Sequence, residues 1–443
     1  MAVPTIRRKM QALSAPSRPV VYDVTRLVTR ALNPTPNGID RVDFALARHF
    51  LSGEGDHAAL ICTALGPRLA SAADAYRTIV DIETYWNEYI APARDEVYES
   101  LVAALDGGPR AARGALRVKR SGLDSIAANW RAMRNWALRL GRPIGEVPAG
   151  AIYVNASQFL LDKAWFLRWL GDRPDVKPCF FVHDLLPIET PEFFRPGEPP
   201  KHLAAMRNVS RLAAGAIVGS NTVARRLRAF AARNGREDLP LCVASLPISP
   251  VFEARRPVDA RLEGRRYFVV CGTIEPRKNH LTLLNVWREL AWRFGPATPK
   301  LVVIGKRGWH NENVLDLLER CEALRPHVIE AAGLSTPALR NLFAGARAVL
   351  TPSFDEGFGL PVAEAAAAGA PVIASDIEVF REIGGDALDY IDPLDGLGWR
   401  DAIIDYAGPG SKRRADALAR AGTIRRDDGA SFFAKADAFL AGL

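Results

Sequence analysis

Residues 352–375 read PSFDEGFGLPVAEAAAAGAPVIAS, and this stretch decides the fold prediction. It continues the apolar run ARAVLTPS (346–353), so a buried strand is expected to end in the glycine-bearing loop FDEGFG (354–359). Pro361 suits the first turn of a short helix, and Gly369 suits its end. The stretch therefore predicts a strand, a loop and a helix whose amino end opens at the carboxyl edge of a sheet.

Similar apolar runs recur along the chain, each followed by a helical pattern. Continuous rather than alternating apolar runs indicate strands buried on both faces, and their alternation with helices indicates parallel sheets of an α/β protein. The first set is PVVYDV, AALICTAL, GAIYVNAS, PCFFVHD, AGAIVGS and LCVASL, and the second is YFVVCGT, KLVVIGK, HVIEAAG, ARAVLTPS, APVIASD and ALDYIDP. Two Rossmann-like domains facing an interdomain cleft are therefore predicted, with ligands at the carboxyl ends of the strands.

The domain boundaries follow from composition. Residues 1–18 look like a flexible tail, and residues 19–256 are predicted to form the first domain, with a helical insertion at about 70–148. The polar, proline-bearing stretch 249–266 lacks periodicity and is predicted to be the linker, with the division near Pro257. The second domain is then expected over residues 257–430.

Bulk composition excludes several classes of protein. The chain has 443 residues, 48% of them hydrophobic, which suits a soluble protein of two or three domains. Its five cysteines are scattered without CxxC spacing, so we expect reduced, buried thiols and neither disulfides nor a zinc site. No apolar run approaches the ~20 residues that span a bilayer, and the amino terminus lacks the apolar core of a signal peptide. A cytoplasmic location is expected.

Two acids flank the helix start in the opening stretch. Exposed amides at a helix amino end form a seat for phosphate, while carboxylates accept hydrogen bonds from sugar hydroxyls. A nucleoside diphosphate sugar fits this combination, with Glu356 on the transferred sugar and Glu364 on the ribose. Alternatively, Glu356 complements the helix dipole and Glu364 is a solvated acid. The amides proposed for the phosphate belong to Gly357, Phe358, Gly359 and Leu360.

A pair of bases follows another buried strand, in CGTIEPRKNHLTLLNVW (271–287). Arg277 and Lys278 precede a helix near Asn279, where cations oppose the helix dipole. Fixed cations there would stabilise the negative charge that grows on a departing diphosphate. The alternative is an ordinary surface pair.

Two weaker candidates lie in the first domain. His183 and Asp184 leave the end of a strand in FVHDLLPIETPEFF (181–194), so His183 could contact the sugar or the acceptor, or the two residues could simply cap the following turn. The turn Asn37–Gly38 precedes a helix from about Asp40, and its amides could close over the diphosphate. An ordinary loop would have the same sequence.

The motifs GTIEPRKNH, EGFGLPVAEAAAAGAPVIAS and FREIGGDALDYIDP resemble those of the retaining glycosyltransferases of family 4, which have the GT-B fold. Among these, the chain is most similar to bacterial mannosyltransferases of O-antigen and exopolysaccharide synthesis. The resemblance is dense from Tyr267 to Pro393 and thin in the first domain. It implies that the last helix, residues 431–443, crosses back onto the first domain.

The resemblance also implies roles for individual residues. Glu356 and Glu364 would contact the donor sugar and the ribose, and Arg277 and Lys278 would grip the diphosphate, which Gly38 would approach from the other side. Loops at the ends of further strands would line the base, and the donor-binding set is completed by Thr273, Gly305, Lys306, Gly333 and Leu334. Thr273 stands where many members carry arginine, and Asp40 stands where a small residue is more usual.

The implied reaction moves a hexose from a nucleoside diphosphate sugar, with GDP-mannose favoured, to a glycan acceptor, with retention at the anomeric carbon. No cofactor and no metal are expected, and the sequence has no DxD pair near these motifs. The acceptor is expected to be linked to polyprenyl diphosphate. The alternatives are a synthase that uses a soluble acceptor and a GT-B subunit without catalysis.

The net charge of +8 is concentrated between residues 107 and 142, where nine arginines and lysines accompany one aspartate. Within WRAMRNWALRLGR, an apolar stripe near Trp130 and Trp136 is accompanied by Arg131 and Arg134, a pattern typical of a helix at an anionic membrane surface. We expect this segment to dock the first domain on the inner membrane and to receive the acceptor, or else to pack on the core with a solvated basic face. Nucleic acid is not expected as a partner.

Overall fold

A computed structural model describes residues 18–29, 36–53, 55–63, 66–85, 91–107, 116–117, 141–254, 256–424 and 429–443. Within these residues, the strands form two sheets, and helices pack against both of them. The expected tail, residues 1–18, falls almost wholly outside the described part. Trp130, Arg131, Arg134 and Trp136 also lie outside it, so their membrane role stays a prediction.

The first sheet has eight strands in the order β5-β3-β2-β1-β6-β7-β8-β9. Its central strands pair in parallel, whereas β3 and β5 form an antiparallel edge. The strands are Val20–Asp23 (β1), Ala58–Thr63 (β2), Gly66–Ser71 (β3), Arg142–Pro143 (β5), Ile152–Asn155 (β6), Lys177–Val182 (β7), Gly215–Val218 (β8) and Leu241–Val243 (β9).

The second sheet has seven parallel strands in the order β15-β14-β13-β10-β11-β12-β4. The chain crosses from one sheet to the other between β9 and β10, within the expected linker. The strands are Leu116–Arg117 (β4), Tyr267–Cys271 (β10), Lys300–Ile304 (β11), Val328–Ala332 (β12), Val349–Thr351 (β13), Val372–Ser375 (β14) and Asp389–Ile391 (β15). Both sheets agree with the predicted α/β class.

Helices cover both faces of each sheet. In the first half of the chain they are Thr25–Thr29 (α1), Gly38–Ser52 (α2), Ala72–Tyr85 (α3), Glu96–Leu105 (α4), Ala164–Leu167 (α5), Trp169–Asp172 (α6), Leu186–Glu189 (α7), Glu198–Leu212 (α8), Asn221–Arg233 (α9) and Pro250–Glu253 (α10). In the second half they are His280–Phe294 (α11), Glu312–Arg320 (α12), Thr336–Gly345 (α13), Leu360–Ala367 (α14), Glu378–Gly384 (α15), Gly396–Ala407 (α16), Lys412–Ala421 (α17) and Gly429–Ala441 (α18). None of the helices in the described part is long and apolar enough to cross a membrane.

The central strands of both sheets are almost wholly buried, because helices on each side supply the apolar cover. Strand β1, for example, is buried at every position, and β10 is buried from Tyr267 to Val270. This matches the continuous apolar runs from which the strands were predicted. All five cysteines are free, as expected, but only Cys179 is fully buried.

The insertion that the sequence assigns to the first domain divides between the two domains. Strands β3 and β5 extend the first sheet, but α4 buries Val97 and Leu101 in the core of the second domain. Asp95 caps α4 and also accepts a hydrogen bond from the Ser335 amide at 2.7 Å. Strand β4 then pairs with β12. The assignment of this part to the first domain was wrong, because its apolar face packs on a distant sheet.

The last helix returns to the first domain, as the resemblance implies. Phe432, Ala436 and Leu440 of α18 are fully buried in a cluster with the strands and helices of the first domain. Asp437 lies 2.9 Å from the His49 ring on α2. The chain therefore passes between the two domains through the linker and again through α18, in addition to its passages before α4 and between β4 and β5.

Candidate active site

The loop between β13 and α14 lies at the centre of the cleft, and its glycines are required by close contacts. Gly359 has φ +95°, and a side chain there would meet the Phe380 ring at 2.5 Å. A Cβ at Gly357 would lie 2.5 Å from the carbonyl oxygen of His183 in the first domain. The helix begins at Leu360, within one residue of the predicted start, and its amino end faces the first domain.

Glu356 lies in this loop and forms the centre of a buried charge cluster. Its Oε2 atom is 2.6 Å from Arg277 Nη1, and its Oε1 atom contacts Lys278 Nζ. Ser353 Oγ donates to Glu356 Oε1 at 2.8 Å. The structure thus brings together three of the four residues predicted to take part in catalysis.

The electrostatics of the cluster follow from burial and pairing. Burial alone would raise the pKa of Glu356, but the charges of Arg277 and Lys278 lower it to about 2. Burial would lower the pKa of Arg277, yet the carboxylates of Glu356 and Glu275 raise it. Glu356 and Arg277 are therefore both charged at neutral pH, in a site with little access to water.

Arg277 also supports the backbone of the loop. Its guanidinium donates to the Asp355 carbonyl and to Glu275, both at 2.7 Å, and its own carbonyl accepts from the Phe354 amide at 2.9 Å. Arg277 therefore ties the loop that follows β10 to the loop that follows β13. Both loops lie at the carboxyl edge of the second sheet, as predicted.

A cavity lies next to Glu356. It is lined by Cys271, Lys278, Thr351, Glu356, Gly359 and Phe380, together with apolar residues of the neighbouring strands. Lys278, the carboxylate of Glu356 and the start of α14 thus share one recess. This set can bind an anion on its cationic side and hydroxyl groups on its carboxylate side.

Glu364 lies one turn into α14 and is 4% exposed. Its Oε1 atom is 2.8 Å from Nη1 of Arg41, which belongs to α2 of the first domain. The sequence argument did not include Arg41, although it directly follows the residues GID that the argument discusses. A contact between residues 323 positions apart leaves no local signal in the sequence.

Gly38 begins α2 and faces α14. Asn37 caps this helix, and a Cβ at Gly38 would lie 3.1 Å from Leu360 Cδ1. Asp40, the unusual residue of this loop, is 1% exposed and accepts from the Asn37 amide at 3.0 Å and from Arg26 Nε at 3.0 Å. Asp40 therefore stabilises the turn before α2 through these two hydrogen bonds.

His183 follows β7, and its Nε2 atom lies 2.7 Å from the Ala156 carbonyl oxygen. A carbonyl can only accept, so Nε2 carries the proton and Nδ1 is the basic nitrogen. Burial lowers the pKa of His183 to about 4, so the ring is neutral at neutral pH. Its carbonyl borders Gly357, but no contact joins its ring to Glu356 among the described interactions.

The remaining predicted donor residues lie in loops at the same sheet edge. Gly305 follows β11 and packs so closely that a Cβ would clash with the Gly272 carbonyl, next to Thr273. Lys306 is exposed, and its carbonyl accepts from the Ile274 amide at 2.9 Å. Gly333 and Leu334 follow β12.

Two of the predicted donor residues turn their side chains away from the cavity. Leu334 packs into the core of the second domain, where apolar burial accounts for its position. Phe358 packs into the core of the first domain, so its amide, and not its ring, remains for a ligand. The roles of the whole set toward a donor stay predictions.

Further cross-domain contacts surround the site. Ser220 Oγ donates to the Gly357 carbonyl at 3.1 Å. Arg226 lies 2.9 Å from Asp355, the neighbour of Glu356. Glu382 accepts from the amides of Asn221 and Thr222 at 2.5 and 2.9 Å, at the start of α9. These contacts hold the two domains together around the loop 354–359.

Within the described residues, no cluster of three or more His, Cys, Asp or Glu could hold a metal ion.

Residues 251–389 match the family model described as "Glycosyl transferases group 1". The chain contains a group 1 glycosyltransferase domain. This range includes Arg277, Lys278, Glu356 and Glu364, so the charge cluster and its neighbouring acid belong to the glycosyltransferase domain. The recognition made from the motifs is thereby confirmed at the level of this family.

Several curated relatives of the chain are named as mannosyltransferases. The chain is 32% identical over 218 residues to the serotype-specific mannosyltransferase WbdA of Escherichia coli, covering 46% of this chain and 26% of that protein. It is 38% identical over 136 residues to O-antigen chain mannosyltransferase B of Escherichia coli, covering 30% of this chain and 35% of that protein. The chain thus spans well under half the length of these relatives.

Among solved structures, Anabaena Alr3699/HepE in complex with UDP-glucose superposes with a TM-score of 0.60 at 14% identity. The match covers 96% of this chain and 100% of that chain. At this sequence identity the match shows a shared fold, and the shared fold includes both domains. The predicted GT-B fold is confirmed.

Proposed function

We propose that the chain transfers a hexose, with mannose favoured, from a nucleoside diphosphate sugar to a glycan acceptor, with retention at the anomeric carbon and without a metal ion. The observation that carries this proposal is the buried cluster of Glu356, Arg277 and Lys278 beside the amino end of α14. The cluster combines cations for a diphosphate with a carboxylate for sugar hydroxyls, and Lys278 and Glu356 line one recess of the glycosyltransferase domain.

In this mechanism the cations and the amide end of α14 stabilise the diphosphate as it departs. Glu356, ionised because its pKa is lowered to about 2, accepts hydrogen bonds from the transferred sugar. The acceptor hydroxyl attacks the face from which the leaving group departs and gives its proton to a phosphate oxygen. The reaction then requires no protein base. The neutral ring of His183 can contact the sugar or acceptor from the first domain.

Substitutions at Glu356 and Lys278 test this mechanism. Glu356→Ala is expected to abolish transfer while nucleotide binding persists, because the carboxylate serves the sugar and not the diphosphate. Lys278→Ala is expected to weaken nucleoside diphosphate binding and slow transfer together. Normal turnover by either variant would exclude the role given to that residue.

The donor is proposed to be GDP-mannose, because the curated relatives are named as mannosyltransferases. UDP sugars are the competing choice, and the structural neighbour is a complex with UDP-glucose. Isothermal titration of the protein with GDP, UDP and dTDP separates them. Tightest binding of UDP would exclude the guanine donor while leaving the transferase mechanism intact.

The acceptor is proposed to be a glycan linked to polyprenyl diphosphate, in surface polysaccharide synthesis at the inner face of the cytoplasmic membrane. Support comes from the names of the O-antigen relatives and from the basic, tryptophan-bearing segment 107–142. Co-sedimentation with anionic and neutral vesicles tests it. Absence of binding to anionic vesicles at moderate salt would favour a soluble acceptor.

A further inference from the structure

Arg41 is a cation of the first domain that reaches into the donor site of the second. Its guanidinium lies 2.8 Å from Glu364, with the two side chains 26% and 5% exposed. An ion pair this sheltered is screened far less than a surface pair. The contact joins the start of α2 to the helix proposed to seat the diphosphate.

Two further observations place Arg41 beside the donor cavity. A Cβ at Gly38 would lie 3.1 Å from Leu360, so the amino ends of α2 and α14 meet at one point. Cys271, which lines the cavity, has its thiol pKa raised to about 12, chiefly by burial and then by the Glu364 carboxylate, while Arg41 and Lys278 act to lower it. Arg41 and Lys278 therefore both act on the same cavity wall.

The cations of the empty site are already in contact with carboxylates. Arg277 and Lys278 share Glu356, and Arg41 contacts Glu364. An incoming nucleoside diphosphate brings negative charge on its phosphates and neutral hydroxyls on its ribose. If the ribose takes Glu364, the partly buried guanidinium of Arg41 loses its contact with that carboxylate, which costs free energy. The diphosphate is the anion that arrives in the same step.

We propose that Arg41 is a donor-binding residue supplied across the cleft, which holds Glu364 while the site is empty and transfers to the diphosphate when the ribose occupies Glu364. The inference rests on the proposed function, because it assigns Glu364 to the ribose. The planar fork of a guanidinium suits both partners, since it pairs with carboxylate and phosphate in the same bidentate manner.

The exchange predicts opposite effects on two classes of ligand. In Arg41→Ala, a nucleoside without phosphates should bind more tightly than in the wild type, because it no longer displaces a guanidinium from Glu364. A nucleoside diphosphate should bind about tenfold or more weakly, because one charged hydrogen bond to phosphate is lost. Arg41→Lys keeps the charge and should recover part of the diphosphate affinity.

Isothermal titration measures both ligands directly. GDP and UDP are titrated into the wild type, Arg41→Ala and Arg41→Lys, and guanosine and uridine are measured by competition against the tighter nucleotide. Glu382→Gln is the matched control, because it weakens a different cross-domain contact at the start of α9. The control should shift the nucleoside and the diphosphate by the same factor.

The outcomes separate this inference from the function on which it rests. An unchanged diphosphate affinity in Arg41→Ala, or equal weakening of both ligands, would overturn the role of Arg41 and leave the donor site standing. Opposite shifts in Glu382→Gln would also overturn it, because domain closure alone would then explain the result. A wild-type chain that binds neither GDP nor UDP would refute the proposed function, and the inference with it.

Discussion

Replacing Glu356 by glutamine removes the carboxylate shared by Arg277 and Lys278 while keeping the size of the side chain. The side chains of the three residues are only 8, 13 and 15% exposed, so water can replace little of the lost interaction. Removing one partner of a buried ion pair typically costs about 3–5 kcal/mol. Glu275 keeps its contact with Arg277 at 2.7 Å, so we expect the lower end of that range, about 3 kcal/mol.

Unfolding of the Glu356→Gln variant in denaturant, with and without GDP or UDP, measures this loss. Without nucleotide the second domain should unfold at lower denaturant than in the wild type. The diphosphate restores an anion to Arg277 and Lys278, so bound nucleotide should stabilise the variant more than the wild type.

Asp376→Asn is the control for the loss of an ion pair. Its partner Arg381 lies 2.7 Å away, and both side chains are about half exposed, so the cost should stay below about 1 kcal/mol. If Glu356→Gln is no less stable than Asp376→Asn without nucleotide, the cluster contributes nothing to stability and the reasoning is wrong.

Three further perturbations test the electrostatics and the backbone of the fold. Burial lowers the pKa of His280 from 6.5 to about 3. The contribution of His280 to the free energy of unfolding is therefore present above pH 6.5 and is lost as the pH falls toward 3. In His280→Leu, the free energy of unfolding measured in denaturant should depend less on pH over this acid range. Burial raises the pKa of Asp43 from 3.8 to about 8, so its contribution to the free energy of unfolding is present below pH 3.8 and is lost as the pH rises through 8. In Asp43→Asn, the free energy of unfolding should fall less steeply as the pH rises. An unchanged pH dependence would contradict the raised pKa of Asp43. Gly359→Ala should cost about 1–3 kcal/mol in thermal unfolding, and more than Gly369→Ala, because both have positive φ but only Gly359 would also meet Phe380.

Much of the fold could be predicted from local sequence because the central strands of each sheet are buried on both faces. A run such as YFVVC from Tyr267, followed by a helical pattern, favours a buried strand in a parallel sheet, and β10 forms there. The same holds for the loop and helix after β13, where Gly359 and Pro361 mark the turn and the helix start. These features depend on neighbours within a few residues along the chain.

The segment after residue 90 shows where local reasoning fails. Helix α4 has an ordinary amphipathic pattern. This pattern indicates that one face of the helix is buried, but it does not indicate which domain core that face packs against. Its apolar residues Val97 and Leu101 pack in the second domain, and β4 follows them into the second sheet. Which domain α4 and β4 join depends on the apolar surface that other helices and strands leave uncovered. The local sequence of α4 and β4 contains no signal of that surface.

The sequence by itself determined the two parallel-sheet domains, the loop that carries Glu356 and the presence of a basic pair at a neighbouring strand end. Only the tertiary structure decided how these charges are paired. Arg277 meets Glu356 because their loops follow neighbouring strands of the second sheet, whereas Arg41 meets Glu364 because α2 of the first domain lies beside α14 of the second. Periodicity and turn residues act over a few positions, whereas charge pairing depends on distance in space, so the first can be predicted from the chain and the second requires the folded molecule.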